Sequence, residues 1–87
     1  MVVMSAMLPV DEQVLGRAIN TRVLELNAQM ENFRTAITLC RFADVGLEVS
    51  DGNGQLRVTV HTGDGIHLTA DGYEILVRVL QEVLGRN

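Results

Sequence analysis

At 87 residues the chain is at most one domain, and at that length folding buries only about 60 to 65% of the surface the unfolded chain exposes, so any core is small. Hydrophobic residues make up 47% but aromatics only 3%, which assigns burial to Val, Leu, Ile, Met and Ala rather than to large rings. The formal charge is −4, and the seven basic residues are all arginines scattered from Arg17 to Arg86, which argues against a phosphate-binding stripe and so against a nucleic-acid partner.

The single cysteine, Cys40, excludes an internal disulfide and a multi-cysteine zinc site. It leaves the compartment open. The apolar run Met1 to Leu8 has no basic leader and is cut by Pro9, too short and wrongly flanked for a signal peptide or a membrane span. Val2 to Leu8 instead predicts a first strand, apolar enough to be buried on both faces of a parallel sheet.

Asp11 and Glu12 then supply acidic residues suited to a helix N-terminus. From Leu15 the apolar residues Ile19, Val23, Leu26, Met30 and Phe33 follow at steps of three or four, which places them on one helical face. Arg17, Arg22, Glu25, Gln29 and Glu31 fall mostly on the solvated side, with Asn20 and Asn27 at the border. The segment Ile37 to Val45 is rich in β-branched and apolar residues and stops at Gly46, so it predicts a second strand. Strand, helix and strand make one βαβ unit, whose strands a right-handed crossover sets parallel.

Between Leu47 and Val60 the pattern shortens to alternation around the turn-rich Ser50-Asp51-Gly52-Asn53-Gly54, a small hairpin or excursion. A last helix is expected from about Ala70, with Tyr73, Leu76, Leu80 and Val83 or Leu84 on its inner face. Thr69 is its N-cap and Gly85 its C-cap, and Glu74 with Arg78 forms an i,i+4 pair. No repeat, linker or composition shift marks a second domain, so residues 1–87 read as a single segment.

Asp64 and His67 lie three residues apart in a Gly-containing loop ahead of that helix. A carboxylate so placed can accept a hydrogen bond from one imidazole nitrogen, fixing the tautomer and leaving the other nitrogen as a base. By itself Asp-x-x-His describes a solvated loop pair at least as well. A metal set of His61, Asp64, His67 and Asp71 has suitable ligand types but no recognised spacing; His61 fits a strand-end surface residue, and Asp71 a helix-N-terminal charge. Ser5 sits inside an apolar strand, away from any sharp strand-to-helix turn, and Cys40 among apolar neighbours reads as a core residue, so neither is a strong nucleophile candidate.

The longer string Asp64-Gly65-Ile66-His67-Leu68-Thr69-Ala70-Asp71-Gly72-Tyr73 has the form D-x-x-H-L-T-x-x-G-Y, which resembles the last block of the SGNH, or GDSL-like, esterase and lipase family. An apolar strand ending at Leu8-Pro9, a helix containing Ile19-Asn20 and Leu26-Asn27, and a strand ending in Phe42-Ala43-Asp44 agree in type and order with that family's C-terminal half. The resemblance implies an α/β, partial flavodoxin-like fold, with Asp64 as acid and His67 as base of a Ser-His-Asp triad. It further implies that Leu68 packs inward, Thr69 caps the helix, and Gly72 and Tyr73 seat it on the sheet.

No Gly-Asp-Ser and no Gly-x-Asn-Asp block occurs here, so the nucleophile and oxyanion donors are missing and the chain alone is expected to be inactive. No metal or organic cofactor is implied. The substrate class would be an acyl-ester small molecule or an acylated carbohydrate, handled only by a whole enzyme. Association with a missing N-terminal half, or with a second copy, is expected from the open edges of a two-stranded sheet. The competing expectation is a non-catalytic interaction or structural module that keeps the last block as a folding element.

Overall fold

A computed structural model of the chain describes residues 2–85. It is a mixed α/β unit in which strand β1 (Val2–Ser5) pairs in parallel with strand β2 (Cys40–Ala43), Val2 standing opposite Cys40 and Ser5 opposite Ala43. Between them run helix α1 (Glu12–Leu15) and helix α2 (Asn20–Arg34), and after β2 come helix α3 (Val45–Val49), a 3-10 turn at Val58–Val60 and helix α4 (Ala70–Leu84). The expected parallel strands and C-terminal helix are therefore present.

Both strands are shorter than the apolar runs that predicted them. Val2 is exposed and Val3 and Met4 are half-buried, a departure from the expected burial on both faces. The cause is the sheet itself: with two strands among the described residues, β1 keeps one edge unpaired there.

The single long helix expected from Asp11 to Arg34 is in fact two. Asp11 caps α1 through a bond from the Val14 amide, and the chain turns out of it at Gly16. The Glu12 carboxylate then accepts the Asn20 amide at 2.9 Å, so α2 starts with an orphan donor satisfied from the preceding helix. Of the predicted apolar stripe only Val23 is buried, while Leu26 and Phe33 are exposed. Two strands about 4.8 Å apart cannot cover a helix about 10 Å wide.

The core is drawn from β2 onward rather than from α2. Ala43, Val45, Val49, Leu56, Val60, Leu68, Val79 and Val83 form one buried cluster, with Ile75, Leu76 and Leu80 packed against it. It is entirely aliphatic, as the composition requires, and burial of each Val or Leu contributes about 1.5–3 kcal/mol. Helix α4 begins where expected, with the Thr69 hydroxyl accepting the Gly72 amide at 3.3 Å. Its buried residues are Gly72, Val79 and Val83; of the expected inner face Leu76, Leu80 and Val83 meet the core, whereas Tyr73, like the alternative Leu84, is exposed. Arg78 reaches Glu48 of α3 at 3.4 Å rather than pairing with Glu74.

The alternation at Leu47 to Val60 does not form a hairpin of strands. Leu47 and Val49 belong to α3, and only one antiparallel bridge, Ser50 to Leu56, closes the Asp51 to Gly54 turn. The Asp51 carboxylate accepts the Asn53 and Gln55 amides at 2.8 and 3.0 Å. That local competition bends the chain back before a ladder can extend.

Candidate active site

The loop from His61 to Leu68 is closed by a bridge between those two residues and by a bond from the Thr62 amide to the His67 carbonyl at 2.9 Å. Beyond it the Thr69 amide donates to the Val60 carbonyl at 2.8 Å. A Cβ on Gly72 would stand 2.8 Å from that carbonyl oxygen, so glycine there lets the first turn of α4 rest on the loop base. Leu68 is buried in the core, while Asp64, Ile66 and His67 face outward.

Asp64 and His67 are brought together as their spacing predicted. One Asp64 oxygen, Oδ1, accepts the Ile66 amide at 2.8 Å and the His67 amide at 2.9 Å, and Oδ2 meets His67 Nδ1. An ionised carboxylate only accepts, which assigns the proton to Nδ1 and leaves Nε2 of the neutral ring unprotonated. The hydrogen bond from His67, followed by the two backbone amides, holds the Asp64 carboxyl well below the usual carboxylate range. The pair is open to solvent, the His67 side chain being 74% and the Asp64 side chain 43% exposed. It lines neither of two surface hollows, one of about 300 Å³ bordered by Met7, Pro9, Val23, Leu24 and Leu47, the other on the outer face of α4.

His61 is not the surface residue its position suggested. Its side chain is 2% exposed, and Nε2 lies 3.0 Å from Oδ2 of Asp11, itself 10% exposed. Its Nδ1 accepts the amides of Gly63 at 3.0 Å and Gly65 at 3.3 Å, so the ring is the Nε2–H tautomer donating to Asp11. The bond from His61 lowers the Asp11 pKa against the opposing effect of burial. Asp11 does lie at a helix N-terminus as expected, but it has this second bond as well.

Asn20 and Asn27, placed at the border of the helical stripe, prove to bind the chain leaving β1. Asn20 accepts the Val10 amide and donates to the Val10 carbonyl, each at 2.8 Å; Asn27 does the same with Met7 at 2.7 and 2.9 Å. The repeated apolar-Asn pairs seven residues apart, Ile19-Asn20 and Leu26-Asn27, carry this signal in the sequence. Glu12 and Gln55 join the first of them, the Gln55 amide donating to Glu12 at 2.8 Å.

The metal set is not assembled: His61 is turned inward to Asp11 while His67 points out, and among the described residues no three His, Cys, Asp or Glu side chains are grouped to hold a metal ion. Ser5 Oγ donates to the Ala6 carbonyl at 3.2 Å, and Cys40 is buried in β2. Neither is bonded to a histidine among the described residues.

Fold and loop together define a class of structure, a parallel α/β segment whose exposed Asp-His pair is tied to the chain leaving the carboxyl end of β1. In open α/β sheets that end is where ligands gather. No protein-family model and no curated protein matches the chain. Among solved structures it is similar to "a putative platelet activating factor from Streptococcus pneumonia", with 26% sequence identity and a TM-score of 0.82. The match covers 94% of this chain and 40% of that one, so the chain spans two fifths of its structural neighbour.

Proposed function

We propose that this chain is the C-terminal part of a serine ester hydrolase of the SGNH type, supplying Asp64 and His67 to a Ser-His-Asp triad whose serine lies in an N-terminal half outside these 87 residues. The observation that carries this reading is the Asp64 carboxylate on His67 Nδ1, which leaves Nε2 free and solvent-facing within the D-x-x-H-L-T-x-x-G-Y string. The unpaired edge of β1 supports it, as does the share of the structural neighbour that has no counterpart here.

In the assembled enzyme, His67 Nε2 takes the proton of the serine hydroxyl as its oxygen attacks the ester carbonyl. The resulting oxyanion is held by donors from the other half. Collapse expels the alcohol, which leaves with the proton from His67, and an acyl-enzyme remains. The same nitrogen then deprotonates a water, and hydrolysis releases the acid and restores the serine. Asp64 stabilises the imidazolium in both halves of the cycle. The acyl donor is an ester of a small molecule or of a carbohydrate, and the chain's own residues require no cofactor for these proton transfers.

The exposed Leu24, Leu26 and Phe33 of α2 also suit a second reading, a non-catalytic association module. Ester hydrolysis separates the two. The 87 residues alone are expected to leave a nitrophenyl acetate unhydrolysed; joined to a serine-bearing SGNH N-terminal half, in cis or in trans, they are expected to restore turnover that His67→Ala and Asp64→Ala abolish. Turnover by the chain alone that His67→Ala abolishes overturns the placement of the serine outside it, and turnover indifferent to His67 contradicts the hydrolase reading. Partner binding that survives both alanine substitutions, without any turnover, favours the module.

A further inference from the structure

The Asp64–His67 loop has almost nothing to hold it by packing. Thr62, Gly63, Asp64, Ile66 and His67 are all exposed, and Gly65 is the one buried residue between His61 and Leu68. Its conformation must come from polar bonds, and those that reach outside the loop converge on one buried pair.

We propose that Asp11 and His61 are positioning residues for the Asp64–His67 pair. Asp64 sits between Gly63 and Gly65, and the amides of both glycines donate to His61 Nδ1. The backbone on each side of Asp64 is thereby fixed to one ring. That nitrogen can accept because the ring's proton is on Nε2, and it is on Nε2 because the Asp11 carboxylate accepts it there. Asp11 also grips the loop directly, its amide donating to the Gly65 carbonyl at 2.9 Å. The grip is close: Gly65 has a φ of +80°, and a Cβ on it would lie 2.8 Å from the Asp11 oxygen.

Asp11 therefore sets the tautomer of His61, His61 sets the backbone around Asp64, and Asp64 sets the tautomer of His67. Each buried member is satisfied twice. The second Asp11 oxygen accepts the Val14 amide at 3.4 Å, which ties the relay to the cap of α1 and so to the chain leaving β1. Local bonds, from the Asp64 carboxylate to the Ile66 and His67 amides, form the rival explanation for the same loop shape.

The inference rests on the hydrolase reading only in calling the outer pair catalytic, and its test needs no catalysis. Long-range proton–nitrogen NMR spectra of the histidine-labelled chain at neutral pH report the tautomer of each ring. The intact chain is expected to show His61 as the Nε2–H and His67 as the Nδ1–H form; a cationic or Nδ1–H His61 overturns the proposal without any variant. In His61→Phe, which keeps the volume and removes the nitrogens, a chain that retains its α4 helix by circular dichroism is expected to lose the Nδ1–H signature of His67. Asp11→Asn, whose one carbonyl oxygen cannot serve both Val14 and His61, is expected to weaken it, and is the reading to use should His61→Phe not fold.

Either folded variant with an unchanged His67 spectrum shows that the local bonds suffice and sinks the positioning role. In the assembled enzyme the same variants are expected to lower kcat about 100-fold, the scale of a misplaced catalytic group, with KM little changed. Loss of the His67 signature without any restored turnover in the intact pairing would reject the hydrolase and leave the relay standing.

Discussion

His61 and His67 stand at the two ends of one short loop, and each bonds an aspartate carboxylate. Burial separates them. His61 is enclosed, with both ring nitrogens engaged, one by Asp11 and the other by two backbone amides. His67 is exposed, with one nitrogen on Asp64 and the other open. A histidine whose two nitrogens are committed in a dry site builds structure, whereas one oriented at a single nitrogen retains a base to use. The same two residue types thus do different work according to what surrounds them.

The contrast predicts unequal costs. The largest belongs to Gly65→Val, which places a β-branched residue at positive φ and drives its Cβ into the Asp11 carbonyl oxygen; we expect a loss of about 3–4 kcal/mol, from left-handed strain and overpacking together. Urea unfolding followed by helix signal measures it, and a loss under about 1 kcal/mol would show that the two pairs are not joined through this glycine.

Next comes His61→Ala, which strands the Gly63 and Gly65 amides and the Asp11 carboxylate, at a cost of about 2–3 kcal/mol. His67→Ala is expected to shift stability by no more than about 0.5 kcal/mol, as exposed substitutions do. Equal losses from the two would erase the distinction between a structural and a free histidine.

Those expectations also show where the sequence was legible. The last helix, its Thr69 cap and the Asp64–His67 bond all depend on residues a few positions apart, and pattern reading reached them; the inward Leu68 followed only from the resemblance of the longer string. His61 was misplaced because its partner Asp11 lies 50 residues earlier. The break between α1 and α2 was hidden for the same reason: Glu12 is held by Gln55, 43 residues away, while it caps Asn20. On α2 the periodicity was sound but the inferred burial was not, since spacing reports which residues share a face and not whether a strand lies beneath it. On α4 the expected Leu76, Leu80 and Val83 do meet the core, but Tyr73 yields its place to Gly72, whose backbone approaches Val60, a fit that hydrophobicity alone does not weigh.

The smallest effect is the most selective. Asp64 and Asp11 both have pKa values below those of an unfolded aspartate, so each contributes stability that is present above about pH 4 and is lost as the pH falls toward the folded-state values. The part of the urea midpoint that these two carboxylates supply should therefore decline below about pH 4. Asp64→Asn and Asp11→Asn should each differ from the intact chain at pH 6 and converge on it in acid, where protonation has already removed the charge that the substitution removes. Salt then distinguishes the two. The Asp64–His67 pair faces solvent, so about 1 M sodium chloride, with a screening length of about 3 Å, should shrink the Asp64→Asn difference. The Asp11–His61 pair is shielded from ions by its burial, and the Asp11→Asn difference should persist. Equal sensitivity to salt would mean that both carboxylates meet solvent alike, and that burial does not divide the roles of the two histidines.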